Sequence, residues 1–139
     1  MIKSFSSIGL CIVSLGLAAP ASAHHSAAMF DRTKQVTVVG TVKDFQWTNP
    51  HSWLHVVAPA VAGGPAIEWS IEMTSPNLLN RAGWRPATLK PGDRVTIVMA
   101  PLRDGANGGQ FRSATLPDGR VMTERGPQGA PVAGTPAVS

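Results

Sequence analysis

Between Val36 and Thr123 the chain is a succession of short alternating runs, interrupted once by a helix signal, and that order leaves few folds open. The clearest run is Ala66-Ile67-Glu68-Trp69-Ser70-Ile71-Glu72-Met73. Side chains alternate between the two faces of a strand, so Ile67, Trp69, Ile71 and Met73 belong to a core, and Glu68, Ser70 and Glu72 to the opposite face. Val36 to Phe45 is β-branched and alternating, which predicts a strand. Gly40 in its middle predicts a bulge or a sharp coil. Further strands are predicted from about Ser52 to Ala58, Arg94 to Met99, Gln110 to Leu116 and Arg120 to Thr123. The interruption is Ser75-Pro76-Asn77-Leu78-Leu79-Asn80-Arg81-Ala82-Gly83. Serine suits the N-cap, proline the first helical position, and glycine the residue past the end, so this is one short helix. Trp84 follows it and is expected to pack beneath.

Three strands, a short helix and then two more strands is the order of an OB-fold, a small five-stranded barrel. Closure also removes the exposed edges that an open sheet leaves. The expected class is therefore all-β with one short helix, in an OB-fold-like five-stranded barrel. An SH3-like barrel and a small open sandwich are the alternatives.

The flanks are different in kind. Residues 1–23 carry a basic start at Lys3, an apolar run from Ile8 to Ala19, and Ala21-Ser22-Ala23 after Pro20. That pattern predicts a cleaved secretory signal, with an apolar run too short to remain as a membrane span. The expected address is the periplasm, with no membrane anchor once the signal is removed. Cleavage would leave 116 of 139 residues and remove one lysine, taking the formal charge from +4 to +3. Cys11, the only cysteine, lies in the signal, so the remaining chain offers no disulfide and no thiol. Residues 24–35 lack a period and are expected to form an arm that Met29 and Phe30 tuck onto a domain spanning 36–125. Residues 126–139 are mostly small residues and proline, with no charge. They are expected to form a disordered tail, having too little apolar surface to order themselves.

Function is sought first in Trp47-Thr48-Asn49-Pro50-His51-Ser52-Trp53-Leu54-His55, which holds two of the four tryptophans and two of the four histidines. The other imidazoles, His24 and His25, would stand at the new N-terminus. An N-terminal histidine offers its α-amine and its ring to one metal. The amine's ordinary pKa is about 8, so a metal ion can displace its proton near neutral pH. Nitrogen ligands in a planar array favour Cu(II). The expected metal ligand is His24, with His25, His51 or His55 completing the set. A straight strand separates His51 from His55 by about 13 Å, whereas two nitrogens on one metal sit only about 3–4 Å apart. Both histidines therefore cannot bind one ion unless the chain bends between them; Pro50 favours a bend at His51, and one of the two is expected to join the arm. The plain alternative for each is a hydrogen-bonded structural ring, and for His24 and His25 a solvated chain end. Met73 and Met99 fall on core faces, so a thioether copper site built from them has little support.

A second reading makes the same stretch a groove for a protein or glycan, lined by Trp47, Asn49 and Trp53 with the Glu68 and Glu72 face. Core packing is the alternative for the tryptophans, and a solvated face for the glutamates. Glu68 and Glu72 would lie about 13 Å apart, too far for the carboxylate pair of a glycosidase, which needs about 5–9.5 Å. Either can instead support a histidine. The sequence contains no nucleophile elbow, phosphate loop, zincin helix or haem attachment pair. No catalytic residue is assigned, and a binding protein rather than an enzyme is expected. The sequence pI near 10.0 suggests nucleic acid, but the basic residues are scattered and export removes the chain from that partner. The expected partners are a metal, a periplasmic protein or a glycan.

Several of these residues together resemble a family of short exported bacterial proteins, domain of unknown function 6152. They are His24-His25-Ser26, Phe30-Asp31, Gly40-Thr41-Val42, Trp47-Thr48-Asn49-Pro50-His51, Glu68-Trp69, Gly83-Trp84 and Pro91-Gly92-Asp93. The resemblance implies export and one small β domain. It implies no activity and transfers no catalytic residue.

Overall fold

The computed structural model describes residues 27–128. Seven strands and one short helix follow a 3-10 turn at Ala27–Met29: β1 Val36–Gln46, β2 Trp53–Pro59, β3 Ala66–Glu72, α1 Pro76–Arg81, β4 Arg94–Pro101, β5 Gly108–Thr115, β6 Val121–Thr123 and β7 Gly126–Gln128. β1 pairs antiparallel with both β2 and β4. β2 pairs with β3, and β4 with β5. A parallel contact between β3 and β5, with Ser70 opposite Gly108, closes the five strands into a barrel. This closure, with the helix between β3 and β4, is the OB-like barrel read from the sequence, and β6 and β7 extend it along β5.

The long first strand serves both halves of the barrel. Gly40 pairs regularly with Val95 of β4. A Cβ there would lie 2.7 Å from both Val56 Cγ1 and the Ala58 Cβ, so the residue allows β1 and β2 to close on each other. The bulge expected at Gly40 lies later, where the register shifts between Val42 and Asp44.

The predicted face of β3 is the observed one: Trp69, Ile71 and Met73 are buried, while Glu68, Ser70 and Glu72 are not. Trp84 is fully buried. Its ring meets Phe45 and Phe111 edge-on, at centroid distances of 6.1 and 5.6 Å. Its indole N–H donates to the Thr123 carbonyl at 2.8 Å. In α1, Pro76 stands at the start and Gly83 past the end at φ 88°. Ser75 occupies the N-cap, but its side chain makes no capping hydrogen bond.

Strand pairing continues past residue 125. Met122 pairs with Pro127, and the Thr123 hydroxyl donates to the Gly126 carbonyl at 2.9 Å. Gly126-Pro127-Gln128 has no alternation of its own, so its order comes from the neighbouring strand.

Candidate functional site

The site begins where β1 hands over to β2. Thr48 donates its hydroxyl to the His51 carbonyl at 3.0 Å, and the Asn49–Pro50 peptide is cis. Ser52, wholly buried, exchanges backbone bonds with the segment after β3: its N–H meets the Thr74 carbonyl at 3.1 Å, and its carbonyl receives Met73 N–H at 2.9 Å. The turn is thereby fixed against the end of β3, which sets His51 beside Glu72.

The arm arrives from the other side. Phe30 is buried and bridges to Leu102. Arg103 N–H donates to the Met29 carbonyl at 2.9 Å, and its side chain to the Ala28 carbonyl at 3.0 Å. Arg112 donates to the Arg32 carbonyl at 2.6 Å. Met29 is consequently placed, about half exposed, at the rim of a hollow of about 390 Å³. Thr48, Asn49 and Pro50 form its turn side, with His51, Trp53 and Glu72 completing it.

His51 Nδ1 is in direct contact with Glu72 Oε1. In the neutral ring, an N–H held by that carboxylate leaves the lone pair on Nε2. A carboxylate behind a histidine in this way is the usual support of a metal-binding imidazole. His55 is held differently. Its Nδ1 lies 3.2 Å from both Glu68 Oε1 and Ser70 Oγ, and its Nε2 lies 3.9 Å from Asp44 Oδ1. Both ring nitrogens therefore face protein oxygens on the outside of the barrel, and His55 does not line the hollow. The Ser70, His55 and Asp44 side chains are the residue types of a hydrolytic triad, yet Glu68 shares the serine's nitrogen and Asp44 stands beyond hydrogen-bond range.

The two glutamates thus each back a histidine, as their shared face allowed. Glu68 also pairs with Lys43 at 2.5 Å. Trp53 lines the hollow with Asn49, but Trp47 does not: it packs against the core, edge-on to Phe45 at 5.5 Å. His24 and His25 lie outside the described residues. Among the described residues, no three of His, Cys, Asp and Glu are grouped so as to hold a metal ion.

Residues 12–112 match the profile of a family described as "Family of unknown function (DUF6152)". The chain belongs to this family. No curated protein and no solved structure matches it. The part matched to the DUF6152 profile contains every residue lining the hollow.

Glu124 lies beyond the DUF6152 match, and nothing in the sequence ties it to the turn. It follows β6, accepts Thr74 N–H at 2.6 Å, and shares a cavity of about 110 Å³ with His51, Glu72 and Gln110. Burial pushes its carboxyl above the ordinary 4.5, and Glu72 adds to this, while the Thr74 N–H and His51 oppose it. A raised folded pKa means that the folded state holds the proton more tightly. The resulting stability is full below 4.5 and is lost as pH rises through the raised value. Urea unfolding at a series of pH values is therefore expected to show wild type losing ground to Glu124→Gln across that window. A constant difference would show that Glu124 does not titrate as its burial requires.

Proposed function

We propose that the protein is exported and binds a ligand in the hollow beside the Asn49-Pro50-His51 turn, and that the ligand is Cu(II). The observation that carries this reading is the His51–Glu72 contact at a hollow to which the arm also runs. His51 would supply Nε2, with Glu72 holding the ring. His24 would supply its α-amine and ring nitrogen, with His25 as the nearest further imidazole. Met29 is already at the rim, and five residues span up to roughly 17 Å, so His24 is within reach of His51. His55 is not included, because both of its nitrogens already face protein oxygens. Secretion is supported by the signal-like pattern of residues 1–23. When bound, the metal would tie the chain's N-terminus to the turn.

The test is to add substoichiometric Cu(II) to isotope-labelled protein beginning at His24 and record amide spectra. Paramagnetic broadening is expected first at Met29, Thr48, His51 and Trp53, and it should disappear from the turn in His51→Ala. Broadening centred on His55 would contradict this assignment.

The half-buried Trp53 on a hollow with Pro50 and Met29 favours one second reading, a protein- or glycan-binding module. In that case Trp53→Ala abolishes partner capture and copper has no effect on it.

A further inference from the structure

A separate depression of about 490 Å³ lies between α1 and the turn from β6 to β7. Leu78, Arg81 and Ala82 form one wall, Glu124 and Arg125 the other, and Thr74 lies between them. The two walls are fixed to each other. Trp84 from beyond the helix donates to Thr123 at 2.8 Å, and Thr74 donates to Glu124 at 2.6 Å. The Thr123 hydroxyl in turn accepts Arg125 N–H at 3.1 Å.

Two features of this depression have no structural use among the described residues. Arg81 and Arg125 are exposed, and neither takes part in an ion pair there. Neither guanidinium donates a hydrogen bond to another described side chain or carbonyl; Arg85, by contrast, uses its guanidinium on the Asn80 and Trp84 carbonyls. Leu78 is 49% exposed, on a helix whose other leucine, Leu79, is completely buried. Uncommitted guanidinium forks beside an apolar shoulder suit a planar or tetrahedral oxyanion attached to an apolar body.

We propose that this depression binds such a ligand, a carboxylate or phosphate carried on a short apolar chain, with Arg81 and Arg125 taking the anion and Leu78 and Ala82 the chain. Glu124 opposes the anion when ionised. Its Oε1 is engaged by Thr74 N–H, and Glu124→Gln removes the charge. The backbone of both walls is held before binding, so the ordering required on association falls on the two arginine side chains.

The test uses protein beginning at His24 and four probes below their micelle concentrations: octanoate, octyl phosphate, octanol and octylammonium. Binding is followed by amide shifts at Thr74, Leu78 and Ala82. At least one of the two anions is expected to bind saturably, and which one does so identifies the headgroup. Octanol and octylammonium should bind more weakly. Arg81→Gln with Arg125→Gln should weaken the anion by roughly tenfold or more, the size expected for hydrogen bonds to charged groups. Glu124→Gln should strengthen it at neutral pH. Octanol binding as tightly as the anions, an unchanged affinity in the double variant, or shifts centred on His51 would each overturn the proposal. The hollow at His51 is not involved, so failure here leaves the copper reading intact.

Discussion

Trp84→Ala is expected to lower the unfolding free energy by about 3–5 kcal/mol, the range for truncating a buried aromatic. Trp84 is the largest fully buried side chain in the barrel. The substitution removes two edge-on ring contacts, with Phe45 and Phe111. It also leaves the Thr123 carbonyl without the indole donor. A domain of this size has about 5–15 kcal/mol in total, so a large share of its stability depends on this residue. The melting temperature should fall on the order of 15 °C or more. Trp84→Phe separates the two contributions. It keeps an aromatic ring and loses the N–H, so it should cost about 1–2 kcal/mol from the unpaired carbonyl, plus a packing loss smaller than that of alanine. Chemical denaturation of the three proteins measures both. Equal stability of Trp84→Ala and wild type would mean that the barrel is not closed over this ring.

The consequence reaches the hollow. Trp84 pins Thr123, Thr123 precedes Glu124, and Glu124 holds Thr74, whose carbonyl receives Ser52 N–H beside the turn. The turn is therefore supported by a series of hydrogen bonds that leads back to the core, two of them made by the Trp84 and Glu124 side chains.

What could be read from the residues follows from where each signal resides. The alternation of Ile67, Trp69, Ile71 and Met73 is a property of one strand, and it assigned Glu68 and Glu72 to the face where they meet His55 and His51. Pro76 and Gly83 bracket α1 by local backbone chemistry, and the helix's place in the strand order pointed to the barrel. Other features depend on neighbours remote along the chain. The order of Gly126-Pro127-Gln128 comes from pairing with β6. The arm docks largely through backbone carbonyls of Ala28, Met29 and Arg32, which any side chain can accompany. Trp47 is two residues beyond Phe45, and alternation alone did not distinguish its core contact from a place on the groove. Glu124 meets Thr74 across fifty positions of sequence, and no short motif records such a contact. The bulge lies between Val42 and Asp44, and Gly40 serves instead the close approach of β2, which depends on Val56 and Ala58 across the sheet.

The other large effect concerns the metal. In the proposed copper site the α-amine and ring of His24 would form a chelate, and His51 would add a nitrogen whose orientation Glu72 maintains. Acetylating the α-amine of His24 converts it into an amide without supplying a new amine, leaving an ordinary histidine side chain. Cu(II) affinity is then expected to fall by about tenfold or more, at least 1.4 kcal/mol. His51→Ala should also weaken binding while leaving the amine in place. Glu72→Gln is expected to fall between, since loss of such a supporting carboxylate typically costs about 10–100-fold in affinity when the ligand itself is retained.

The most direct measurement is a Cu(II) titration followed by electron paramagnetic resonance, on protein beginning at His24 with a free α-amine and on the same protein acetylated at that amine. The first is predicted to give a single tight species with nitrogen hyperfine structure, which the second lacks at equal copper. Two superimposable, weakly binding spectra would contradict the account.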